Sequence, residues 1–342
     1  MYGMYSKAEV SFEYRKEIGQ DGANSRAFIA HDRYLDALLV VKEIPKGRFS
    51  HPDLFFNESR VLYKATHPHV VQIQYACECD QNIYLALPYY ENGSLKDLMK
   101  TRNLSVREIV RFAIQICTGL HNIHSKGLIH FDIKPDNILL SNRFDALVSD
   151  FGLSKSMDAD FRAIPDLIYT KHIAPEHFSD KSFSCQYDIY QLGLTIYRMT
   201  HGESAFDLQI QAFNNNMDAY RDAICAETFP SRALLEHIPS KLGNIIKKCL
   251  KANLTERYQS ALAVANDLAL IDDNTLDWVY NEVDGVRTWS KKTDTHEFYL
   301  EVGADGSSVA KKKTSAGKWT MVKDFCNPRI TVATIKRFLR SV

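Results

Sequence analysis

No run of apolar residues in this 342-residue chain approaches the roughly 18 positions that a membrane-spanning helix needs. Its first residues, MYGMYSKAEVSFEY, lack the charged-then-apolar order of a secretion signal. The seven cysteines are odd in number and form no C-x-x-C pair, so the sequence indicates neither a disulfide framework nor a zinc site. The G-x-x-x-x-G-K-[ST] loop of the P-loop NTPases is also missing. These absences favour a reducing, cytoplasmic location without a membrane span.

Net charge is absent too, since 42 Lys and Arg balance 42 Asp and Glu. The balance is uneven along the chain: residues 286–342 contain 12 basic and 5 acidic side chains, against 30 and 37 in residues 1–285. This asymmetry predicts two electrostatically different parts. The basic part is either a solvated face or a surface that meets an acidic partner.

The order of predicted elements indicates two lobes. Short β-branched and aromatic segments separated by Gly, Asn and Asp predict strands at 14–18, 27–32, 37–44, 70–79 and 83–87. Helical spacing predicts one helix among them at 52–66, then a long helix at 105–124 and a mostly helical stretch at 187–270. A strand-rich part followed by a helix-rich part, joined near 88–93, describes a two-lobed α+β fold.

Beyond about residue 275 the pattern changes again. Phe298, Leu300 and Val302 alternate as in a strand, and 331–339 has one apolar helix face. A basic segment, 311–319, carries Lys311, Lys312, Lys313, Lys318 and Trp319. It predicts a hairpin that packs on the large lobe or that docks a protein or another polyanion.

The strongest chemical signal is HFDIKPDN at 130–137, followed thirteen residues after Asn137 by Asp150-Phe151-Gly152. This pair of motifs, between a helix and a short strand, resembles the catalytic loop and the magnesium-binding triplet of the protein kinases. The resemblance implies that Asp132 faces the incoming hydroxyl and that Lys134 reaches the transferred phosphate. Asn137 and Asp150 then supply hard oxygen ligands for Mg²⁺. Lysine two positions after the catalytic aspartate is typical of the kinases specific for serine and threonine.

Upstream, Val40-Val41-Lys42 places Lys42 on a predicted strand, as in the family's nucleotide-binding lysine. Glu58 lies in the predicted helix, nine residues before HPHVV, which resembles the family's H-P-N-I-V stretch. The resemblance therefore implies a Lys42–Glu58 ion pair that holds the lysine on the α- and β-phosphates of ATP.

Further ATP contacts are implied at both ends of the small lobe. The segment IGQDGANSRA at 18–27 resembles a glycine-rich loop, with Ile18, Gly19 and Gly22 covering the nucleotide. It has two glycines and an apparent one-residue insertion, a pattern that predicts looser cover. Leu87 and Tyr89 fall where the hinge between the lobes should hold adenine.

Three later features extend the resemblance over about 255 residues. Ala174-Pro175-Glu176 matches the end of the family's activation segment, and Asp188 matches the helix residue that supports the catalytic loop. Arg257 fits the late arginine that pairs with Glu176. These are structural roles.

Two positions depart from the family pattern. Phe131 stands where the family usually has an arginine that binds an activation-loop phosphate, and a phenyl ring cannot pair with a dianion. We therefore predict activity that does not depend on a loop phosphate bound there; the alternative is that Phe131 only packs. In YTKHI at 169–173 the usual threonine and tyrosine are displaced, and Thr170 is the candidate for contact with Asp132 and Lys134.

The sequence thus predicts an extension at 1–13, a kinase domain at 14–272 and an accessory module at 273–342 of unrecognised family. Within the kinase domain, the N-lobe is expected at 14–88 and the C-lobe at 89–272. The function expected is transfer of the γ-phosphate of MgATP to Ser or Thr of a protein substrate, with autophosphorylation as one outcome. The alternatives are a pseudokinase scaffold and a small-molecule kinase of the same fold.

Overall fold

The computed structural model describes residues 9–18, 25–48, 51, 55–272, 274–314 and 317–342. Gly19 and Gly22, predicted to cover the nucleotide, lie outside the described residues. None of the helices within these ranges combines the length and the hydropathy that crossing a bilayer requires.

The N-lobe is an antiparallel sheet with the strand order β1-β2-β3-β5-β4. Its strands are β1 (Phe12–Ile18), β2 (Arg26–Asp32), β3 (Ala37–Pro45), β4 (Tyr75–Glu78) and β5 (Asn82–Pro88). Alternation in β3 buries Leu39 and Val41 and turns Lys42 towards the opposite face. The helix α1 (Asn57–Lys64) lies inside the range predicted as 52–66 and ends before His67-Pro68, because a residue that precedes proline avoids the helical region.

The C-lobe is built on helices around one apolar core. These are α2 (Leu95–Thr101), α3 (Val106–Ser125), α4 (Gln186–His201), α5 (Glu203–Gln211), α6 (Met217–Cys225), α7 (Ser240–Cys249) and α8 (Ala261–Ala269). The predicted apolar stripe of α3 is buried along its length: Ile109, Phe112, Ile116, Leu120 and Ile123. A reciprocal capping box between Ser105 and Glu108 begins α3, and Gly127 follows its end at φ +70°.

Four short strands frame the loops that follow α3. They are β6 (Leu128–Ile129), β7 (Ile138–Leu140), β8 (Ala146–Val148) and β9 (Lys155–Ser156). β7 pairs with β8 and β6 with β9, both antiparallel. Because Asn137 precedes β7 and Asp150 follows β8, this hairpin brings the two side chains to the same end of the pair.

The C-terminal module is an antiparallel meander closed by a helix. Its elements are β10 (Val279–Val283), β11 (Val286–Lys292), β12 (His296–Val302), β13 (Ser308–Thr314), β14 (Thr320–Met321) and α9 (Val332–Ser341). Trp278, Trp289, Leu300 and Phe338 form a core that is separate from that of the C-lobe. The predicted α+β architecture, two lobes and an α+β module, is confirmed.

The module packs on the C-lobe at the start of α3. Arg107 forms a bidentate ion pair with Asp277, with N–O distances of 2.5 and 3.0 Å. Asn103 donates to the carbonyl of Tyr280 at 2.7 Å, and the Tyr280 ring stacks on His237 of the loop before α7. The joint therefore combines charge, hydrogen bonds and ring contact.

Candidate active site

A half-buried lysine lies where the N-lobe sheet meets the C-lobe. Lys42 Nζ on β3 is 2.7 Å from Glu58 Oε1 on α1 and 3.4 Å from Asp150 Oδ1. Burial alone would lower the pKa of Lys42, but the two carboxylates outweigh it and raise that pKa. Lys42 is therefore a fixed positive charge at the junction of the lobes, and the expected ion pair with Glu58 is present.

Asp132 lies in the loop between β6 and β7 and is 5% exposed. Lys134 Nζ is 2.9 Å from its carboxylate, and Asn137 Nδ2 donates to its Oδ2 at 2.7 Å and to its carbonyl at 2.9 Å. These donors fix the side chain's orientation towards the cleft. The arrangement suits a group that accepts one proton from a nearby hydroxyl.

The backbone before Asp132 is held in an unfavourable conformation. Phe131 has φ +66°, in the left-handed region that bulky residues rarely adopt. The buried carboxylate of Asp188 on α4 accepts the N–H groups of His130 and Phe131, both at 2.8 Å. Asp188 thus stabilises the turn that presents Asp132, as its position in the sequence implied.

Asp150 also has positive φ, +60°, directly after β8. Burial would raise its pKa, but Lys42, His130 and the Gly152 N–H outweigh burial and lower it, so the group is a carboxylate at neutral pH. Its Oδ1 faces Lys42 and Gly152 N–H, the latter at 3.3 Å.

The donor set suits a divalent cation that is shared with a phosphate. Asn137 uses its Nδ2 on Asp132, which leaves its amide oxygen as an acceptor, and Asp150 supplies a carboxylate. Among the described residues there is no cluster of three or more His, Cys, Asp or Glu that could hold a metal alone. Mg²⁺ is commonly bound by one or two protein oxygens together with substrate phosphates, and these residues fit that mode.

The predicted nucleotide contacts that are described, Ile18, Leu87 and Tyr89, lie in or just after strands of the N-lobe sheet. Ile18 pairs with Ala27, and Ala27 pairs with Lys42, so the three residues lie abreast on β1, β2 and β3. Leu87 on β5 pairs with Val40, and Tyr89 follows the end of that strand. The register therefore places Ile18 and Leu87 in the same sheet as Lys42, and their contact with a nucleotide stays a prediction.

The acceptor side of the cleft differs from the sequence hypothesis. Thr170 is exposed, and Lys134 Nζ instead lies 4.0 Å from the ring centroid of Tyr169. The suggested contact of Thr170 with Asp132 and Lys134 is therefore replaced by a cation–π contact one residue earlier. Burial raises the pKa of the Tyr169 hydroxyl, so it stays protonated.

Sequence reasoning also missed Gln191. Its amide oxygen accepts the N–H of Ile133 at 3.0 Å, and its nitrogen donates to the carbonyl of Phe131 at 2.9 Å. Gln191 lies one turn after Asp188 on α4, a helix that is buried almost throughout. The sequence did hold a signal for this role. Gln191 is a polar residue one turn from Asp188 in a helix without a solvent face, so it needs a buried hydrogen-bond partner.

The activation segment is tied down by unmodified side chains. Phe131 is fully buried, and its ring contacts Phe183 and Tyr187 edge-to-face, with centroids 6.2 and 5.4 Å away. Arg162 donates to Asp180 at 3.0 Å, to the Ser182 hydroxyl at 2.8 Å and to the Ser182 carbonyl. Phe183, which packs on Phe131, also exchanges backbone hydrogen bonds with Ala163 of the segment, at 2.8 and 2.9 Å. The segment is therefore attached to the C-lobe by its backbone and by Arg162.

The end of that segment is held by a buried ion pair. Arg257 donates from both terminal nitrogens to Glu176, at 2.8 and 2.9 Å, as its sequence position implied. Both residues are below 8% exposed.

In the C-terminal module, the basic segment runs from β13 to the residues just before the edge strand β14. Lys313 pairs with Glu297 at 2.8 Å and lies 5.0 Å from the Trp319 ring centroid. Lys311 lies 5.9 Å from the ring centroid of Tyr299 on the same face. Docking of a protein or polyanion here stays a prediction.

A small β-sheet lobe and a helical lobe that bring a lysine–glutamate pair, two aspartates and an asparagine to one cleft define the protein kinase architecture. The chain belongs to the protein kinase family: the family model described as protein kinase domain matches residues 12–268.

Curated relatives carry kinase names. The chain is 25% identical over 305 residues to the serine/threonine-protein kinase PknD of Protochlamydia amoebophila, covering 78% of this chain and 30% of that protein. It is 27% identical to a probable serine/threonine-protein kinase of Clostridium perfringens, with 76% and 38% covered. With the serine/threonine-protein kinase STE20 of Candida glabrata it shares 28% identity, with 70% and 26% covered. The chain thus spans well under half the length of these relatives.

Proposed function

We propose that the chain is a serine/threonine protein kinase that transfers the γ-phosphate of MgATP to hydroxyl groups of proteins. The observation that carries the proposal is the single buried carboxylate of Asp132, oriented by Lys134 and Asn137, in the same cleft as the Lys42–Glu58 pair and Asp150. Support also comes from the kinase names of the relatives and from the lysine two positions after Asp132.

Each residue has a role in the proposed reaction. Lys42, fixed by Glu58, binds the α- and β-phosphates, Ile18 covers the nucleotide, and Leu87 and Tyr89 lie at the hinge that holds the adenine. Asp132 orients the acceptor hydroxyl and takes its proton as the O–P bond forms.

The transferred group also needs charge neutralisation. Lys134 neutralises charge on the transferred phosphoryl group, which passes from ATP to the hydroxyl and leaves ADP. Protein kinases generally use Mg²⁺, which neutralises phosphate charge when bound; Asn137 and Asp150 are the residues that would hold it.

Phosphoamino-acid analysis tests the reaction class. After incubation with γ-labelled MgATP and a mixed protein substrate, we expect phosphoserine and phosphothreonine, complete loss of label with EDTA, and no labelling of free sugars or amino alcohols. Labelled metabolites without labelled protein would favour the small-molecule kinase. Nucleotide binding without any transfer would favour the pseudokinase scaffold.

We further propose that activity does not require a phosphate on the activation segment. Phe131 offers no charge to a phosphate, and the Arg162 bonds with the backbone bonds between Ala163 and Phe183 attach the segment without one. The exposed hydroxyls of Ser156 and Thr170 are candidates for autophosphorylation in this segment.

Phosphatase treatment is therefore expected to leave turnover within about twofold, because no phosphate-binding arginine precedes Asp132. Intact-mass measurement should first show that all phosphate is gone, and MgATP incubation should then reveal which sites return. A large loss of activity after treatment would contradict the proposal.

Arg162→Ala should have a larger effect than phosphatase treatment. We expect kcat to fall roughly tenfold, because a misplaced activation segment misplaces the acceptor. Lys155→Ala is the matched control: it removes an ion pair of the same segment whose Asp166 partner is largely exposed, and surface pairs contribute little. Equal effects of the two changes would show that Arg162 has no special part in holding the segment.

A further inference from the structure

A buried histidine of the activation segment reaches into the catalytic loop. His172 is fully buried, and its Nδ1 lies 2.9 Å from the carbonyl oxygen of Ile133, the residue between Asp132 and Lys134. A carbonyl only accepts, so Nδ1 carries the hydrogen and donates it. Nε2 is then an acceptor, and Arg198 Nη1 donates to it at 2.9 Å.

The environment keeps this ring neutral. Burial, and then the positive charge of Arg198, lower the pKa of His172 well below its ordinary value, while the bond to Ile133 opposes them only in part. Both ring nitrogens thus have a partner in the neutral form. The uncharged ring of His172 therefore links the catalytic loop at Ile133 to α4 at Arg198 at neutral pH.

Both backbone polar groups of Ile133 are hydrogen-bonded. Its N–H donates to the Gln191 amide oxygen at 3.0 Å, and its carbonyl accepts from His172, with the Thr195 hydroxyl 3.4 Å away. Since Asp132 and Lys134 are the neighbours of Ile133, these bonds set the direction in which both side chains leave the backbone.

Arg198 anchors the far end of this connection. It is 3% exposed at the end of α4, and its guanidinium makes a bidentate contact with Glu203, with Nε 2.8 Å from Oε1. Its Nη2 also lies 3.6 Å from Asp136, which immediately precedes Asn137. The guanidinium therefore contacts α5, the activation segment and the catalytic loop at once.

We propose that His172 and Arg198 form a positioning pair that aligns the catalytic loop through the carbonyl of Ile133, so that Asp132 and Lys134 face the acceptor hydroxyl only when the activation segment is in place. This inference rests on the proposed kinase function. It assigns His172 a positioning role, because the ring touches neither reacting group. A shift of the Ile133 peptide alters phosphoryl transfer, whereas nucleotide binding depends on Lys42 and Asp150, which lie outside the pair.

Three substitutions at one position separate the two ring contacts. His172→Leu removes both, and kcat is expected to fall by about 100-fold with the KM for ATP unchanged, since small misplacements of reacting groups have effects of this size. His172→Asn keeps a donor near the position of Nδ1, so its kcat should be about tenfold higher than that of His172→Leu. His172→Gln keeps its polar atoms near Nε2 and away from Ile133, and it should recover little.

The matched control is His237→Leu. His237 is also a buried histidine of the C-lobe, but it stacks on Tyr280 of the C-terminal module. It should leave kcat within about twofold, as expected for a substitution without contact to the site. Thermal shift with magnesium and ADP checks that each variant folds and binds nucleotide.

The outcomes are distinct. Wild-type kcat in His172→Leu, or equal losses in the Asn and Leu variants, overturns the positioning role and leaves the proposed kinase function standing. A wild type no more active than Asp132→Asn overturns the kinase function, and the role in catalysis falls with it. Independently of turnover, ¹⁵N spectra of histidine-labelled protein should show His172, assigned by its loss in the Asn variant, with hydrogen on Nδ1; hydrogen on Nε2 overturns the contact itself.

Discussion

Asp132→Asn should lower kcat by about 100- to 10,000-fold, the range that a positioned general base contributes. The amide has nearly the shape of the carboxylate but cannot take the acceptor proton, and Lys134 loses its counter-charge at 2.9 Å. Nucleotide binding should persist because Lys42, Glu58 and Asp150 are unchanged. Steady-state transfer of label and a thermal shift with MgADP measure the two quantities separately.

Asp145→Asn is the matched control for this change. Asp145 lies in the β7–β8 turn, where its carboxylate accepts from Gln115 at 2.7 Å, a bond that an amide oxygen can keep. This variant should retain kcat within about twofold, because substitutions away from a site usually have small effects. If Asp132→Asn retained the wild-type rate, Asp132 would not be the base, and the scaffold or another acceptor chemistry would have to be considered.

Arg257→Met should lower the free energy of unfolding by about 3–5 kcal/mol, the usual cost of leaving one member of a buried ion pair without its partner. Arg257 is 1% exposed, and besides Glu176 it donates to the carbonyls of Lys251 and Gln186, each at 2.9 Å. Its loss leaves a buried carboxylate and two carbonyls without this donor. Urea unfolding followed by fluorescence and circular dichroism measures the change.

Two further variants identify the cause. Combining Arg257→Met with Glu176→Leu removes both charges, so the double variant should be more stable than Arg257→Met alone. Arg221→Met removes an exposed arginine that pairs with Asp218 and Asp222, and it should not shift the unfolding midpoint measurably. A double variant as unstable as the sum of its two single variants would show that the cost comes from lost packing and not from the unpaired charge.

The sequence predicted those parts of the site whose geometry is local or whose motifs are closely spaced. Asn137 and Asp150 are thirteen positions apart at the two ends of one hairpin, so their proximity follows from two short strands and a turn. Lys42 faces the cleft because β3 alternates. The apolar stripe of α3 was visible as spacing alone, whereas its capping box was not predicted.

What the sequence did not predict depends on elements distant in the chain. Gln191 is 58 residues from Ile133, and Arg198 is 26 residues from His172, so neither contact has a spacing rule. The sequence also suggested Thr170 as the neighbour of Lys134, where the structure has Tyr169. The segment is irregular, so no periodicity shows which of two adjacent side chains meets Lys134. The position at which the C-terminal module packs could not be predicted either, because the C-lobe residues that it contacts come together only in the folded lobe.

That joint has a mechanical consequence. The contacts that Asn103, Arg107 and Glu236 make with the module lie at the start of α3 and on the loop before α7, both in the C-lobe. A change in the angle between the N-lobe sheet and the C-lobe would therefore break none of these contacts. In such a change the module would keep its place relative to the helices of the C-lobe.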